Sequence, residues 1–147
     1  MAEILAICYR PDRGMPRPLH ASAELAAGHG IVGDHKAGKG PDRALNIVDA
    51  DRLDELVAMG YPVTPGALGE NLVVAGAALD RLPPGTRVRL GAEAVVRLVK
   101  PRRPCDNLKY LSDDFPAAGE GRVGVLCAVE VGGTIRVGDG VEVLAED

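Results

Sequence analysis

A mainly β fold with one or two short helices, wrapped into a closed or nearly closed barrel, is what this sequence predicts. Three observations carry that expectation. The 147 residues hold 19 glycines and 11 prolines, and these cut the apolar residues into short runs about ten residues apart, the rhythm of strands and turns. The runs are rich in Val, Ile and Leu, and only one stretch has clear helical spacing. Many short strands leave many edges, and closure removes them.

Taken in order, Ala2–Tyr9 reads as the first strand. Arg10 to Arg17, with Pro11, Pro16 and Pro18 in and beside it, is a loop, because proline fixes φ and donates no ladder bond. Ala21–Ala27 is a second short strand, and the glycine-rich Gly28–Pro41 is loop. Ala44–Val48 is a strand. Ala50–Met59 is the helix: Asp49 or Asp51 caps it, Leu53, Leu56 and Val57 form its apolar face, and Gly60 ends it. Leu72–Val74, Arg87–Leu90 and Ala94–Val99 are strands, the last two joined across Gly91. Pro104–Leu111 forms a helical turn, Val123–Val131 a buried strand and Val141–Leu144 the last strand. Gly85-Thr86-Arg87-Val88 and Gly133-Thr134-Ile135-Arg136-Val137 look like two similar hairpins, with Gly133–Gly140 as the turn ordering the final one and Asp139 supplying turn chemistry.

Composition narrows function. The length suits one domain spanning 1–147. With 17 Lys+Arg against 21 Asp+Glu the formal charge is −4, which argues against a duplex-DNA binder. No Trp, one Phe and three Tyr make a single-strand stacking platform unlikely on composition. No apolar run approaches the roughly 20 residues of a membrane span. Met1–Arg10 is too short and too acidic at Glu3 for a signal peptide, so a cytoplasmic protein is expected. Three cysteines without a Cys-x-x-Cys pair suggest neither a disulfide framework nor structural zinc.

Among the cysteines, Cys8 and Cys127 lie in apolar strands and read as small core residues. Cys105 follows a strand in Lys100-Pro101-Arg102-Arg103-Pro104-Cys105. Nearby cations favour a thiolate, the form that acts as nucleophile or metal ligand, although Asp106 opposes them. Local sequence is equally compatible with a surface cysteine in a basic loop. Gly33–Arg43 is glycine-rich and cationic without being a P-loop; it suits either an anion cradle or a surface loop. His35 beside Asp34 has no second histidine at ligand spacing, so no histidine metal site is expected. Glu70 and Asn71 precede an apolar strand and would face opposite sides of it. The inward one must be hydrogen-bonded, to backbone or to a polar heterocycle.

Gly33-Asp34-His35, Arg43, Gly69-Glu70-Asn71-Leu72, Arg102-Arg103-Pro104-Cys105 and Gly132-Gly133 with Gly138-Asp139 occur in an order that resembles the MOSC family, the domain at the C-terminus of molybdenum cofactor sulfurases. The likeness runs from about Ala23 to Leu144 and is closest to the short, stand-alone bacterial form. It implies a barrel-like fold, binding of a molybdenum cofactor (molybdopterin), and Cys105 as catalytic sulfur carrier or molybdenum ligand. Carried onto this chain, it makes Asp34, His35, Lys36, Arg43, Glu70, Asn71, Arg102 and Arg103 cofactor-binding candidates. Lys36, Lys39, Arg43, Arg102 and Arg103 would meet a phosphate, and Glu70 and Asn71 a pterin edge. The activity implied is sulfur transfer, or reduction of N-hydroxylated small molecules; the alternative is a non-catalytic carrier of the cofactor. Pyridoxal phosphate would enter only through a separate cysteine desulfurase, and reduction would need a redox partner protein.

Overall fold

The computed structural model describes residues 2–145. Eleven strands and two helices follow one another as β1 (Glu3–Cys8), β2 (Leu19–His20), β3 (Ser22–Ala26), β4 (Gly30–Ile31), β5 (Leu45–Asp49), α1 (Ala50–Ala58), β6 (Leu72–Ala75), β7 (Arg87–Leu90), β8 (Ala94–Pro101), α2 (Phe115–Ala118), β9 (Val125–Val131), β10 (Gly133–Arg136) and β11 (Val141–Val143). Single 3₁₀ turns occupy Pro41–Arg43, Leu79–Arg81 and Asp106–Tyr110. No helix among these residues is long and apolar enough to cross a membrane.

The strands form an eight-stranded sheet in the order β11-β7-β8-β9-β5-β6-β1-β2 and a three-stranded sheet, β10-β3-β4. The large sheet is mixed: β5 and β6 run parallel and every other pair is antiparallel. A parallel neighbour needs a crossover, which α1 supplies. The named ladders do not by themselves close the large sheet into the expected barrel, β11 and β2 standing at its ends. The start of β1 nevertheless reaches the β11 edge: Glu3 forms an antiparallel bridge with Gly140, Val141 N–H donates to Ala2 O at 3.1 Å, Ile4 N–H to Asp139 O at 2.9 Å and Gly138 N–H to Ile4 O at 2.8 Å. The order also divides the chain. β1, β2, β5 and β6 make one half of the sheet and β7, β8, β9 and β11 the other, meeting at the β5–β9 ladder.

Both faces of the sheet are covered, which is why β5 is buried at every position instead of alternating. One core gathers Ile4, Ile7, Leu45, Ile47, Leu98, Cys127 and Ile135 between the two sheets. The second packs Ala6, Cys8, Val48 and Val73 against Leu53 and Leu56 of α1, Leu108 and Phe115. A bulge between Ile4 and Ala6 reverses the alternation along β1, so Ile4 and Ile7 reach the same core although three residues apart.

Several expectations need correction. Val57 is 55% exposed and does not share the buried face of Leu53 and Leu56. Asp49 occupies the N-cap of α1 without capping it. Its carboxylate accepts from the amides of Leu79 and Asp80 at 2.9 and 3.0 Å, fixing the chain beyond β6. Gly133–Arg136 is a strand paired with β3, not part of a hairpin like the one Arg87–Leu90 makes with β8. The two similar segments therefore have different partners. The strands β2 and β4, two residues each, and the single turn α2 are too short to leave a periodic signal.

Candidate functional site

Three loops converge beside the β8–β9 ladder, where Lys100 pairs with Leu126. They are the proline-flanked segment after β1, the glycine-rich segment after β4, and the segment from the end of β8 into the Asp106–Tyr110 turn. Between them lies a cleft of about 890 Å³, within the size range of small-molecule sites. Arg13 and Arg17 come from the first loop, Lys36, Lys39 and Arg43 from the second, and Lys100, Arg102 and Arg103 from the third. Eight of the chain's 17 Lys and Arg thus line one cleft in a protein of net charge −4, and no carboxylate of the described residues lies on its wall. Cys105 opens into this cleft and its residue is exposed.

The cations are graded in depth. Arg17 and Arg102 are buried, 4% and 8% exposed; Lys36 is half-buried; Arg13, Lys39, Arg43, Lys100 and Arg103 are exposed. The segment Gly66–Asn71 holds the deep ones. Three consecutive carbonyls each accept from a cleft side chain: Ala67 O from the Tyr110 hydroxyl at 2.5 Å, Leu68 O from Arg102 Nη1 at 2.6 Å, and Gly69 O from Arg17 Nε at 2.8 Å. Gly66 has φ +93° and an added Cβ would stand 2.2 Å from the Arg17 carbonyl oxygen, so only glycine fits there.

The Gly-Glu-Asn-Leu residues support this shelf from behind. Glu70 and Asn71 are both 0% exposed, and neither reaches the cleft wall. Glu70 precedes β6 and turns back so that Oε1 accepts from the Leu68 amide at 3.1 Å; its Oε2 has no partner among the described residues. Burial pushes the Glu70 carboxyl above its usual range, with backbone amides and Arg102 opposing. Asn71 Oδ1 accepts from the Asn46 amide at 3.0 Å, and Nδ2 donates to Cys8 O at 3.2 Å and to Asp34 Oδ2 at 3.3 Å. It therefore joins β1, β5 and the glycine-rich loop.

Asp34 is likewise buried behind the wall. It forms an ion pair with Arg17 and accepts from the amides of Arg10 and Lys36, each at 3.3 Å. Such a pair costs desolvation, and hydrogen bonds to its remaining oxygens offset that cost. The sequence-derived contacts therefore separate into two sets. His35, Lys36, Arg43, Arg102, Arg103 and Cys105 line the cleft, whereas Asp34, Glu70 and Asn71 position the residues that do.

Charge coupling follows this layout. Desolvation, then the charges of Arg102 and Arg17, pulls the Lys36 ammonium down to about 8, opposed by Asp34 and Cys105. Burial lowers the Arg102 guanidinium, with Cys105 and Glu70 opposing. Desolvation and the Lys39 charge lower His35, with Lys39 Nζ 3.3 Å from Nδ1. Burial pushes the Cys8 thiol up to about 12 and raises Cys127 further, so neither supplies a thiolate. Asp106, set against the thiol by sequence, faces Lys109 at 3.6 Å and is off the wall.

Sequence reasoning missed Arg17, Arg13 and Tyr110. Arg17 had one available signal, its place between Pro16 and Pro18, where both neighbours stiffen the backbone. Nothing local marked Arg13 or Tyr110.

A mainly β domain that holds a lone accessible thiol at the mouth of a cationic cleft defines the class. The MOSC domain model matches residues 34–142, most of the chain, and the protein belongs to the MOSC domain family. Among solved structures it is similar to YuaD of Bacillus subtilis, with a TM-score of 0.84 at 23% identity over 100% of this chain and 98% of that one. It is similar too to YiiM of Geobacillus stearothermophilus, with a TM-score of 0.80 at 23% identity over 99% and 76% of the two chains. YiiM of Escherichia coli gives 0.72 at 25% identity over 99% and 71%. These likenesses establish the shared fold. No curated protein matches the chain.

Proposed function

We propose that this protein binds a molybdenum cofactor in the cationic cleft, with Cys105 as the molybdenum ligand or as a carrier of sulfur for it. The observation that carries this reading is the sharing of one cleft by the Cys105 thiol and eight Lys and Arg side chains, with no carboxylate among the described residues. The donor set fits the group. Arginine forks and lysines suit a phosphate, and a thiolate suits a soft metal or a sulfane sulfur. Glu70 and Asn71 are both fully buried and off the cleft wall, so we assign the pterin edge to a residue on the wall. Asn107, on the wall two residues from Cys105, is the side-chain amide we assign to that role. When bound, the cofactor supplies a metal centre capable of oxygen-atom and electron transfer.

The chain's own residues anchor the phosphate, hold the sulfur ligand, and keep Cys105 in an electropositive setting. In the sulfur-transfer form, the Cys105 thiolate attacks the outer sulfur of a persulfide on a cysteine desulfurase. A new S–S bond forms on Cys105 as the donor's S–S bond breaks, and the donor leaves as a thiolate without net oxidation. In the reductase form a redox partner protein supplies the electrons. An accessible, unpaired thiol at the centre of the site favours a reducing compartment, which supports a cytoplasmic location.

The test is metal and pterin analysis, with intact mass, of protein from a molybdenum-replete host. Bound molybdenum and pterin, or the mass of one added sulfur that disappears in Cys105→Ala, is the expected result. Cofactor retained unchanged in Cys105→Ala would assign the carrier role, which the cation set by itself supports. Absence of molybdenum, pterin and persulfide together would refute both.

A further inference from the structure

Within the cation set that the cofactor reading assigns to an anionic group, the deepest part of the cleft has a construction of its own. Leu68 O and Gly69 O belong to successive residues, and they draw the Arg102 and Arg17 guanidiniums side by side. Two like charges brought together in a buried place repel, so their juxtaposition needs a counter-charge. Part of it lies behind them, where Asp34 pairs directly with Arg17 and the buried Glu70 acts on Arg102. The side facing the cleft has no carboxylate among the described residues; there the Cys105 sulfur acts on Arg102, within side-chain hydrogen-bonding reach, and on Lys36. Arg17 uses Nε and Nη1, and Arg102 uses Nη1, on oxygen acceptors; neither Nη2 has an oxygen acceptor among the described residues. Lys36 adds a third cation from the glycine-rich loop, and its side chain likewise has no oxygen acceptor there.

A glycine lets Met15 and Arg102 pack closely against the wall at this point. Gly69 lies on the cleft wall with φ +77°, and a Cβ would meet Met15 Sδ at 2.9 Å and approach Arg102 Nη2 at 3.7 Å. The five exposed cations around the mouth focus anions inward. Two planar forks and an ammonium fixed around one open volume match the several oxygens of a compact dianion, which a single point charge would not.

We propose that Arg17, Arg102 and Lys36 form an oxyanion subsite beside Cys105 that takes a tetrahedral dianion of the phosphate, sulfate or molybdate type. The subsite binds such an anion in the absence of any pterin, and so stands or falls separately from the cofactor assignment.

Cys105 supplies the readout. Cys8 and Cys127 are buried, so alkylation of the reduced, folded full chain by iodoacetamide reports position 105 alone. Inorganic phosphate, sulfate and molybdate are each titrated against this rate, with sodium chloride at matched ionic strength as control. Saturable protection of about tenfold by all three dianions, and none by chloride, is expected. The half-protection concentration rises about tenfold in Lys36→Met, the loss of one charge-assisted hydrogen bond. Arg102→Lys, which keeps the charge and loses the fork, weakens protection as well. If Arg102→Lys does not fold, Lys36→Met alone decides. Protection by molybdate only would reflect direct metal–thiolate bonding and overturns the proposal. Equal protection by chloride, or a half-protection concentration unchanged in Lys36→Met, overturns it too.

Discussion

Replacing Asp34 with alanine leaves the Arg17 guanidinium buried without its counter-charge. The two side chains are 0% and 4% exposed, so water cannot replace the lost partner without opening the loop. Breaking a buried pair in this way costs about 3–5 kcal/mol. The carboxylate also accepts from the Arg10 and Lys36 amides and from Asn71 Nδ2. Those two amides belong to half-buried residues and can turn to water, and Asn71 keeps Cys8 O. The total therefore stays near the upper end of that range. For a domain of this size, it corresponds to a fall of about 10–20 °C in Tm. Urea unfolding followed by far-UV circular dichroism measures the free energy directly. The double variant Arg17→Met with Asp34→Leu removes both charges and should recover part of the loss, the remainder reflecting the Gly69 carbonyl left without a donor. A loss below about 1 kcal/mol in Asp34→Ala would mean that the pair is not buried in solution, and the account of the shelf would fall with it.

Gly66→Ala should cost more than about 3 kcal/mol, because the added Cβ meets backbone and not a movable side chain. Gly60→Ala, at a similar φ of +98° but with nothing within 4 Å, should cost only about 1 kcal/mol; equal losses in the two by urea unfolding would remove the steric argument. Lys36 has a folded pKa of about 8 against an ordinary 10.5, so between those values the unfolded chain binds more protons than the folded one. Its contribution to stability therefore rises with pH across that window, while the charge it offers an anion is lost. Phosphate affinity by calorimetry should fall between pH 7 and 9 more steeply in the wild type than in Lys36→Met, and parallel slopes would contradict this.

Apart from the two-residue β2, the strands of the large sheet were legible because their apolar runs are bounded by glycine and proline. β7 spans Arg87–Leu90, and α1 ends within one residue of the expected position. The pairing order was not legible, since nothing in a strand's own residues says which partner it takes; Gly133–Arg136 joins β3 across more than a hundred residues. Of the candidate site, the thiol and the cations around it were readable as local charge. The roles of Asp34, Glu70 and Asn71 were not, because a polar residue beside an apolar strand looks the same whether it meets a ligand or holds a loop. Asn71 serves three segments at once, at Cys8, Asp34 and Asn46, and only the assembled fold reveals that. Arg17 escaped notice for the same reason: its partners lie 17 and 52 residues away.

The division of the large sheet at the β5–β9 ladder has a consequence for how the cleft comes into being. Arg17 and Lys36 lie in the amino-terminal portion of the chain, Cys105 and Arg102 in the carboxyl-terminal portion. The cleft is in effect an interface internal to one polypeptide, empty of meaning until both portions have docked. Any anion that grips residues from both sides acts as a fastener across that joint, and by mass action favours the docked chain over the parted one.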